Sequence, residues 1–396
     1  MELINNTSSA NLFSATIQNS ANLESLSNSA LSNGIDLYIQ KDYKGAIKEF
    51  QRSIGLSLNS SYSTQATEYM ANAYLQLDDA ENAIKTYKRA ISLNTTSDEL
   101  HIKLGNLFYA QERYQEAQNE YEKAVELNPT AKSLYSLGQA YLETGRYMDA
   151  QTQFSKVHRL DPQSPNGRYG IGLAYSKQER YEDAIRMFQD SIGRKKDFYD
   201  AYAEMGYAYA DLGRMDEAQE IVDFLDSKES GLADILSGYM YKVDPPKFTF
   251  VHGTGTFLRT MPRNTLLSTL DDYLANANAS KTFTMIFQFD KEMDRESVED
   301  KFNWTIKRST GSGPGEVYNF GFSVPDTEVT LSIFPDYVYY DAKAYTATVK
   351  FTIKQNENAD GTIDPSHIEF SFKGKDKYGL TMDSDFDQVT GFSGIA

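Results

Sequence analysis

Small and aromatic residues recur at a fixed period through the first 230 residues of the chain. Six alanines lie 37, 34, 33, 34 and 34 residues apart: Ala46, Ala83, Ala117, Ala150, Ala184 and Ala218. Each is followed four residues later by a large apolar residue, namely Phe50, Tyr87, Tyr121, Phe154, Phe188 or Val222. The residue twelve positions before each alanine is small, namely Gly34, Ala71, Gly105, Gly138, Gly172 or Gly206. This pattern predicts paired antiparallel helices that cross closely at the small residues.

One such helical pair cannot bury its own apolar face, so the pairs are expected to stack into a solenoid. The segments "LGNLFYAQERYQEAQNEYEKAVELNP" and "LGQAYLETGRYMDAQTQFSKVHRLDP" resemble the tetratricopeptide repeat family almost position for position. The resemblance covers residues 27 to about 230 and implies a right-handed superhelix of six repeats. A further capping helix is predicted from Leu232 to Tyr241, closing a repeat domain of residues 27–242.

The resemblance also implies a concave groove, lined by the first helix of each repeat, that binds a protein or peptide. On this chain the groove residues would be Tyr38, Glu68, Asn72, Asn106, Tyr109, Tyr135, Gln139, Tyr169, Ala203 and Tyr207. Tyrosine offers a large contact area and one hydrogen bond at a low entropy cost. The alternative is that these rings only pack between neighbouring helices. The lysines that grip a partner's terminal carboxylate in chaperone-binding members of the family are absent from these positions.

The pattern changes after residue 242, where "VDPPKF" supplies a linker at 243–248 and residues 249–396 favour strands. Several short strands separated by polar turns predict an antiparallel β-sandwich whose core includes Trp304. The segments "FTMIFQFDKEMDRESV" and "FSFKGKDKYGLTMD" resemble the opening and closing strands of bacterial Ig-like domains. The predicted fold class is therefore a multidomain protein, an α-α superhelix followed by an Ig-like sandwich.

Residues 1–26 are rich in Ser and Asn and are expected to be disordered or partly helical. They contain no basic residue before an apolar run, so no cleaved secretory signal is predicted. Their composition resembles uncleaved export signals of type III and flagellar substrates, with a frayed terminus as the alternative. The absence of cysteine fits either export or drift in a cytosolic protein. We expect an exported or surface location over a cytoplasmic one.

The net charge of −17 divides into −2 for residues 1–26, −8 for 27–230 and −7 for 231–396. Distributed acidity repels phosphate backbones, and the longest apolar runs are far shorter than a membrane span. Nucleic acid and membrane insertion are therefore not expected, and the oligomeric state stays open.

A calcium loop is one reading of the sequence N-x-N-x-D-G-x-I-D, in which Asn356, Asn358, Asp360 and Asp364 would be the ligands. The twelfth position is His367 and not the bidentate Glu of an EF-hand, so a polar hairpin is the other reading. No other cofactor is expected. The acidic turn with Asp383, Asp385 and Asp387 has the same two readings.

Catalysis has no positive signal in the sequence: the four histidines lie far apart, and no nucleophile or phosphate-loop motif occurs. The sequence favours a non-enzymatic bacterial scaffold that binds a partner in the groove, exported or attached to the cell surface. The alternative is a cytosolic adaptor or chaperone for secretion or surface-appendage assembly.

Overall fold

The computed structural model describes residues 3–58, 60–311 and 316–391, with side chains from residue 20 onward. The chain divides into two compact units. The first ends at Ala233, apart from the short segment Gly213–Met215, and the second takes that segment and everything from Asp234 on.

Helices in consecutive antiparallel pairs build the first unit. Their bounds are α1 Leu3–Ile39, α2 Tyr43–Leu56, α3 Ser61–Gln76, α4 Ala80–Leu93, α5 Asp98–Ala110, α6 Tyr114–Leu127, α7 Ala131–Glu143, α8 Tyr147–Leu160, α9 Asn166–Ser176, α10 Tyr181–Arg194, α11 Tyr199–Asp211 and α12 Met215–Asp226. The pairs match the predicted repeats in order and number. Helix α1 begins at Leu3, so the described backbone of residues 1–26, predicted to be disordered or partly helical, is helical.

The two helices of a repeat cross where a glycine faces an aromatic ring. A methyl group built on Gly138 would lie 2.6 Å from the Phe154 ring, and one built on Gly172 would lie 2.5 Å from Phe188. Both phenylalanines are fully buried. No side chain fits at these crossings without moving the ring, which is the physical reason for the small residue twelve positions before each alanine.

The turn within each repeat depends on one residue in the left-handed backbone region. These residues recur at the spacing of the repeat: Lys41, Asp78, Glu112, Gly145, Glu179 and Gly213, with φ between 57° and 75°. Three of the turns also carry an arginine that stacks on an aromatic ring of the preceding helix, as Arg146 does over Tyr141 at 4.3 Å. The same arginine pairs with Asp149 at 2.8 Å, so one side chain joins both helices.

Helix α13 spans Leu232–Val243, close to the bounds expected for the capping helix. Its residues from Asp234 on group with the second unit and not with the repeats. The domain boundary at residue 242 therefore stays a prediction.

Antiparallel sheets build the second unit. Its strands are β1 Phe248–Val251, β2 Thr265–Leu266, β3 Ser280–Phe289, β4 Trp304–Arg308, β5 Tyr337–Asp341, β6 Thr346–Lys354, β7 Thr362–Ile363, β8 Ile368–Phe372 and β9 Gln388–Val389. They form a four-stranded sheet in the order β1-β3-β6-β5, a three-stranded sheet β4-β8-β9 and a two-stranded sheet β2-β7. Short helices α14 Leu267–Leu270 and α15 Arg295–Glu299 lie between strands.

An aromatic core joins the two larger sheets of this unit. Phe287 of β3 lies 5.2 Å from Trp304 of β4 and 5.7 Å from Phe370 of β8, measured between ring centroids. Trp304 is 1% exposed, and its indole N–H donates to the carbonyl of Val298 at 2.8 Å. The expected strand-rich region with Trp304 in its core is present, whereas the Ig-like assignment stays a prediction.

Candidate functional site

Tyr135 and Tyr169 occupy the same position of successive repeats, on helices α7 and α9. Each is half-buried and rests on the aromatic ring of its own repeat, Tyr135 on Phe154 at 5.3 Å and Tyr169 on Phe188 at 5.9 Å. Burial and the nearby Asp200 carboxylate raise the pKa of Tyr135 to about 12. Each ring therefore packs against its own repeat while part of the side chain stays exposed, and partner binding at these residues stays a prediction.

Tyr109 and Asn106 lie one repeat earlier, on α5. The Tyr109 hydroxyl donates to the Glu143 carboxylate of α7 at 3.3 Å, and its ring meets Tyr114 edge-on at 5.2 Å. Burial and Glu143 raise the pKa of Tyr109. Asn106 is exposed, and its side-chain oxygen accepts a hydrogen bond from Tyr121 at 2.7 Å.

Tyr207 lies on α11, one helical turn after Glu204, and is half-buried. Burial raises its pKa, and the Glu204 carboxylate raises it further. Glu204 and Asp200 also raise the pKa of Tyr169, after burial. Glu204 and Asp200 lie on α11, the first helix of the repeat that follows the repeat of Tyr169.

The remaining predicted groove residues lie in the first two repeats or between the tyrosines in the sequence. Tyr38 meets Tyr43 and Tyr69 edge-on at 5.2 and 6.2 Å, which makes a separate aromatic group in repeats one and two. Asn72 and Gln139 are half-buried on α3 and α7. The predicted residues thus fall into two groups along the solenoid, and the second group is the larger.

We call the second group the tyrosine–carboxylate strip: Tyr109, Tyr135, Tyr169 and Tyr207 with Glu143, Asp200 and Glu204. The four tyrosines lie on the first helices of four successive repeats, α5, α7, α9 and α11, and the Tyr109 hydroxyl donates to Glu143 of the next of these helices. The three carboxylates were missed by the sequence reasoning. Helical spacing could have found two of them, because Asp200 and Glu204 are four residues apart on the helix that carries Tyr207.

The candidate calcium loop has a closed hydrogen-bond pattern. Asn356 donates to the Asp360 carboxylate at 2.8 Å and accepts from the Asp360 N–H at 3.2 Å. Asp364 is fully buried away from this exchange, and its carboxylate accepts from the Asn319 N–H at 2.9 Å and lies 2.6 Å from the His367 ring. Asn358 is exposed. Calcium binding stays a prediction, with these contacts favouring the polar hairpin.

Ser366, His367 and Asp364 lie within hydrogen-bond distance of one another, a composition that occurs in hydrolases. The Ser366 hydroxyl donates to Asp364 at 2.8 Å and lies 3.2 Å from the imidazole. Ser366 is 2% exposed and His367 is fully buried. The ring of Phe320 packs edge-on against the His367 imidazole, with 4.5 Å between the ring centroids, so the three side chains form a buried hydrogen-bond network.

Over the described ranges, no set of three or more His, Asp or Glu side chains is arranged to hold a metal ion. Within the same ranges, no helix is both long enough and apolar enough to pass through a membrane.

The chain matches one family model over residues 18–226, just over half of its length, and the description of that family is Cilia and flagella-associated protein 70 C-terminal domain. Human tetratricopeptide repeat protein 13 is 26% identical over 133 residues, which are 34% of this chain and 16% of that protein. A tetratricopeptide-repeat protein of Methanocaldococcus jannaschii is 24% identical over 228 residues, covering 48% of this chain and 40% of the relative. The chain therefore spans less than half of the length of these relatives.

Among solved structures, the chain is similar to a tetratricopeptide repeat protein from Parabacteroides merdae. The similarity has a TM-score of 0.48 at 17% identity, and it covers 55% of this chain and 86% of the other.

Proposed function

The chain belongs to the tetratricopeptide-repeat family described as the Cilia and flagella-associated protein 70 C-terminal domain, and we propose that it is a non-enzymatic scaffold. In this proposal, the strip binds an extended peptide or a helix of a protein partner. Tetratricopeptide-repeat proteins generally mediate protein–protein interaction, and none of the matches indicates a catalytic family.

The observation that carries the proposal is the half-buried state of the strip tyrosines. Tyr135 and Tyr169 are anchored on Phe154 and Phe188, so their rings are held in place before any partner arrives. Rigid aromatic anchors lose little entropy on binding and are enriched at the centres of protein interfaces.

The absence of cysteine allows a direct test, because one introduced cysteine is the sole thiol in the chain. Full-length protein carrying Gln139→Cys, labelled with benzophenone maleimide, is irradiated in a cell extract, and crosslinked proteins are identified by mass spectrometry. We expect a discrete crosslinked partner from this position. We expect none from Thr152→Cys, which is exposed on α8, the second helix of the same repeat.

Tyr135→Ala combined with Tyr169→Ala is expected to remove the crosslink by taking away both anchors. The matched control is Leu127→Ala with Leu160→Ala, which removes two exposed apolar side chains from the ends of second helices and should leave the crosslink intact. A crosslink of equal yield at positions 139 and 152, or one that survives the tyrosine double variant, contradicts the proposal.

A further inference from the structure

A cavity of about 400 Å³ lies in the second unit, between β4 and the segment 329–333. Its walls are mainly apolar side chains, from Ile306, Val329, Leu331, Ile333 and Ile368. Pockets that bind small molecules have volumes of roughly 300–1,000 Å³ and linings of this kind. The cavity is therefore large enough for a compact apolar ligand.

The segment 329–333 is tied to the sheets at both of its ends. The Val329 N–H donates to the carbonyl of Thr362 at 3.0 Å, and the Ile333 carbonyl accepts from the Ile306 N–H of β4 at 2.7 Å. Residues 330–332, between these two points, make no backbone-to-backbone hydrogen bond with any residue that the structure describes. The segment therefore spans the gap beside β4 without closing it, and the cavity is preformed.

Arg308 brings a positive charge to this apolar cavity. Its guanidinium lies 3.3 Å from the Glu328 carboxylate and 5.0 Å from the centre of the Tyr318 ring, which also lines the cavity. The Tyr318 hydroxyl donates to Glu328 in turn. The Glu328 side chain is 2% exposed, whereas that of Arg308 is 44% exposed. A buried carboxylate and a ring therefore orient the guanidinium while part of it stays accessible.

The pair with Glu328 leaves hydrogen-bonding capacity on Arg308. A guanidinium has five N–H donors in a planar fork, and within the described residues Glu328 is the only ion-pair partner of Arg308. Carboxylates match this fork with two parallel hydrogen bonds. A ligand with an apolar body and a carboxylate therefore matches both the walls and the charge, whereas a cationic head group would be repelled.

We propose that this cavity binds a small amphiphilic carboxylate, with its apolar body against Leu331 and Ile368 and its carboxylate paired to Arg308. The site belongs to the second unit alone and does not depend on the groove of the repeats. Either proposal can therefore fail without the other.

The test uses full-length protein and isothermal titration calorimetry with octanoate, octan-1-ol, octylammonium and butanoate as probes. We expect octanoate to bind at least tenfold more tightly than octanol or octylammonium, because octanoate alone of these three can pair with Arg308. Butanoate keeps the carboxylate but buries a shorter apolar chain, so it should bind at least tenfold more weakly than octanoate.

Arg308→Gln should weaken octanoate binding about tenfold, the size expected for one lost charge-assisted contact, and leave octanol binding unchanged. Retained octanol binding also shows that this variant keeps the cavity folded. The matched control is Arg263→Gln, which removes the same charge from a guanidinium that stacks on Phe322 and does not line the cavity. We expect the control to change octanoate affinity less than twofold.

Leu331→Trp tests the cavity itself, because the larger side chain should obstruct it and weaken octanoate and octanol binding alike by at least tenfold. Leu266→Trp is its control, since it places the same side chain at an exposed position on β2 and should leave both affinities unchanged. The proposal is overturned if octanoate does not bind, if it binds no more tightly than octanol, or if it binds the Leu331 variant as well as the parent. Equal weakening by the two arginine variants would show attraction to net charge alone and also overturn it.

Discussion

Lys291 lies in the interior of the second unit with 2% of its surface exposed. Its ammonium group donates to the carbonyl oxygens of Tyr241, at 2.6 Å, and Asp244, and it lies 3.3 Å from the Asp376 carboxylate. Those two carbonyls are at the end of α13, where a helix leaves its last acceptors unpaired. A single buried cation therefore caps a helix and balances a fully buried carboxylate.

We expect Lys291→Met to destabilise the second unit by about 3 kcal/mol. Methionine fills a similar volume but leaves Asp376 without its cation and the helix-end carbonyls without a donor, a change that costs roughly 3–5 kcal/mol at buried ion pairs. Asp376 still accepts hydrogen bonds from the backbone N–H groups of Tyr378 and Leu380. We therefore expect a loss of stability at the lower end of this range. Urea unfolding followed by Trp304 fluorescence measures it.

Lys377→Met is the control for this prediction. Lys377 pairs with Glu292 at 2.5 Å in the same unit, but both side chains are more than one third exposed. Exposed pairs contribute about 0–1 kcal/mol, so this variant should unfold close to the parent. Equal losses for the two lysine variants would contradict the role assigned to Lys291.

At this scale the sequence predicts side chains whose role follows from a repeat and misses those whose role comes from distant contacts. Tyr135 and Tyr169 were found because the 34-residue period places them at equivalent positions. Lys291 and Asp376 are 85 residues apart, and no local pattern joins them.

At the scale of the element, the helix crossings at Gly138 and Gly172 leave no room for an added methyl group. We expect Gly172→Ala to destabilise the repeats by about 1–3 kcal/mol, the usual cost of overpacking a core. The added methyl would stand 2.5 Å from the Phe188 ring, which is itself fully buried and cannot move aside freely. Urea unfolding followed by circular dichroism at 222 nm measures the change.

Gly193→Ala makes the same chemical change on α10, the partner helix of that crossing. Its methyl would meet nothing within 4 Å. Alanine favours a helix over glycine by about 0.8–1 kcal/mol, so this variant should be slightly more stable than the parent. Gly172→Ala stabilising the repeats to the same degree would rule out the close crossing.

The helices themselves could be predicted because alanine, glycine and aromatic spacing is a local signal repeated six times. The left-handed turn residues were not predicted, although Glu112 and Glu179 recur at the repeat spacing. Glutamate carries no preference for that backbone region, so only the geometry of the turn shows that the residue adopts it. In the second unit, the alternation of apolar and polar residues along β3 predicted a strand. It did not predict the strand order β1-β3-β6-β5, which depends on long-range pairing.

At the scale of the whole molecule, each of the two units is stabilised by buried apolar residues of its own. The core of the second unit contains aromatic residues of both larger sheets, including Trp304 and Phe287. The repeats have their own clusters, one of which continues from Ala71 to Ala174. The change from a helical to a strand pattern near residue 242 predicts helical repeats followed by a strand-rich region, because the two patterns cannot belong to one element.

The core of the repeats and the core of the second unit are expected to unfold independently. Trp304 is the only tryptophan, so its fluorescence reports the second unit, while circular dichroism at 222 nm mainly reports the helices of the repeats. We expect Gly172→Ala to shift the dichroism transition and leave the fluorescence transition in place, and Lys291→Met to do the reverse. Chains with more than one core commonly depart from a single two-state transition in this way. If either variant shifts both transitions equally, the two cores unfold as one cooperative unit, and each free-energy change above must be assigned to the whole chain.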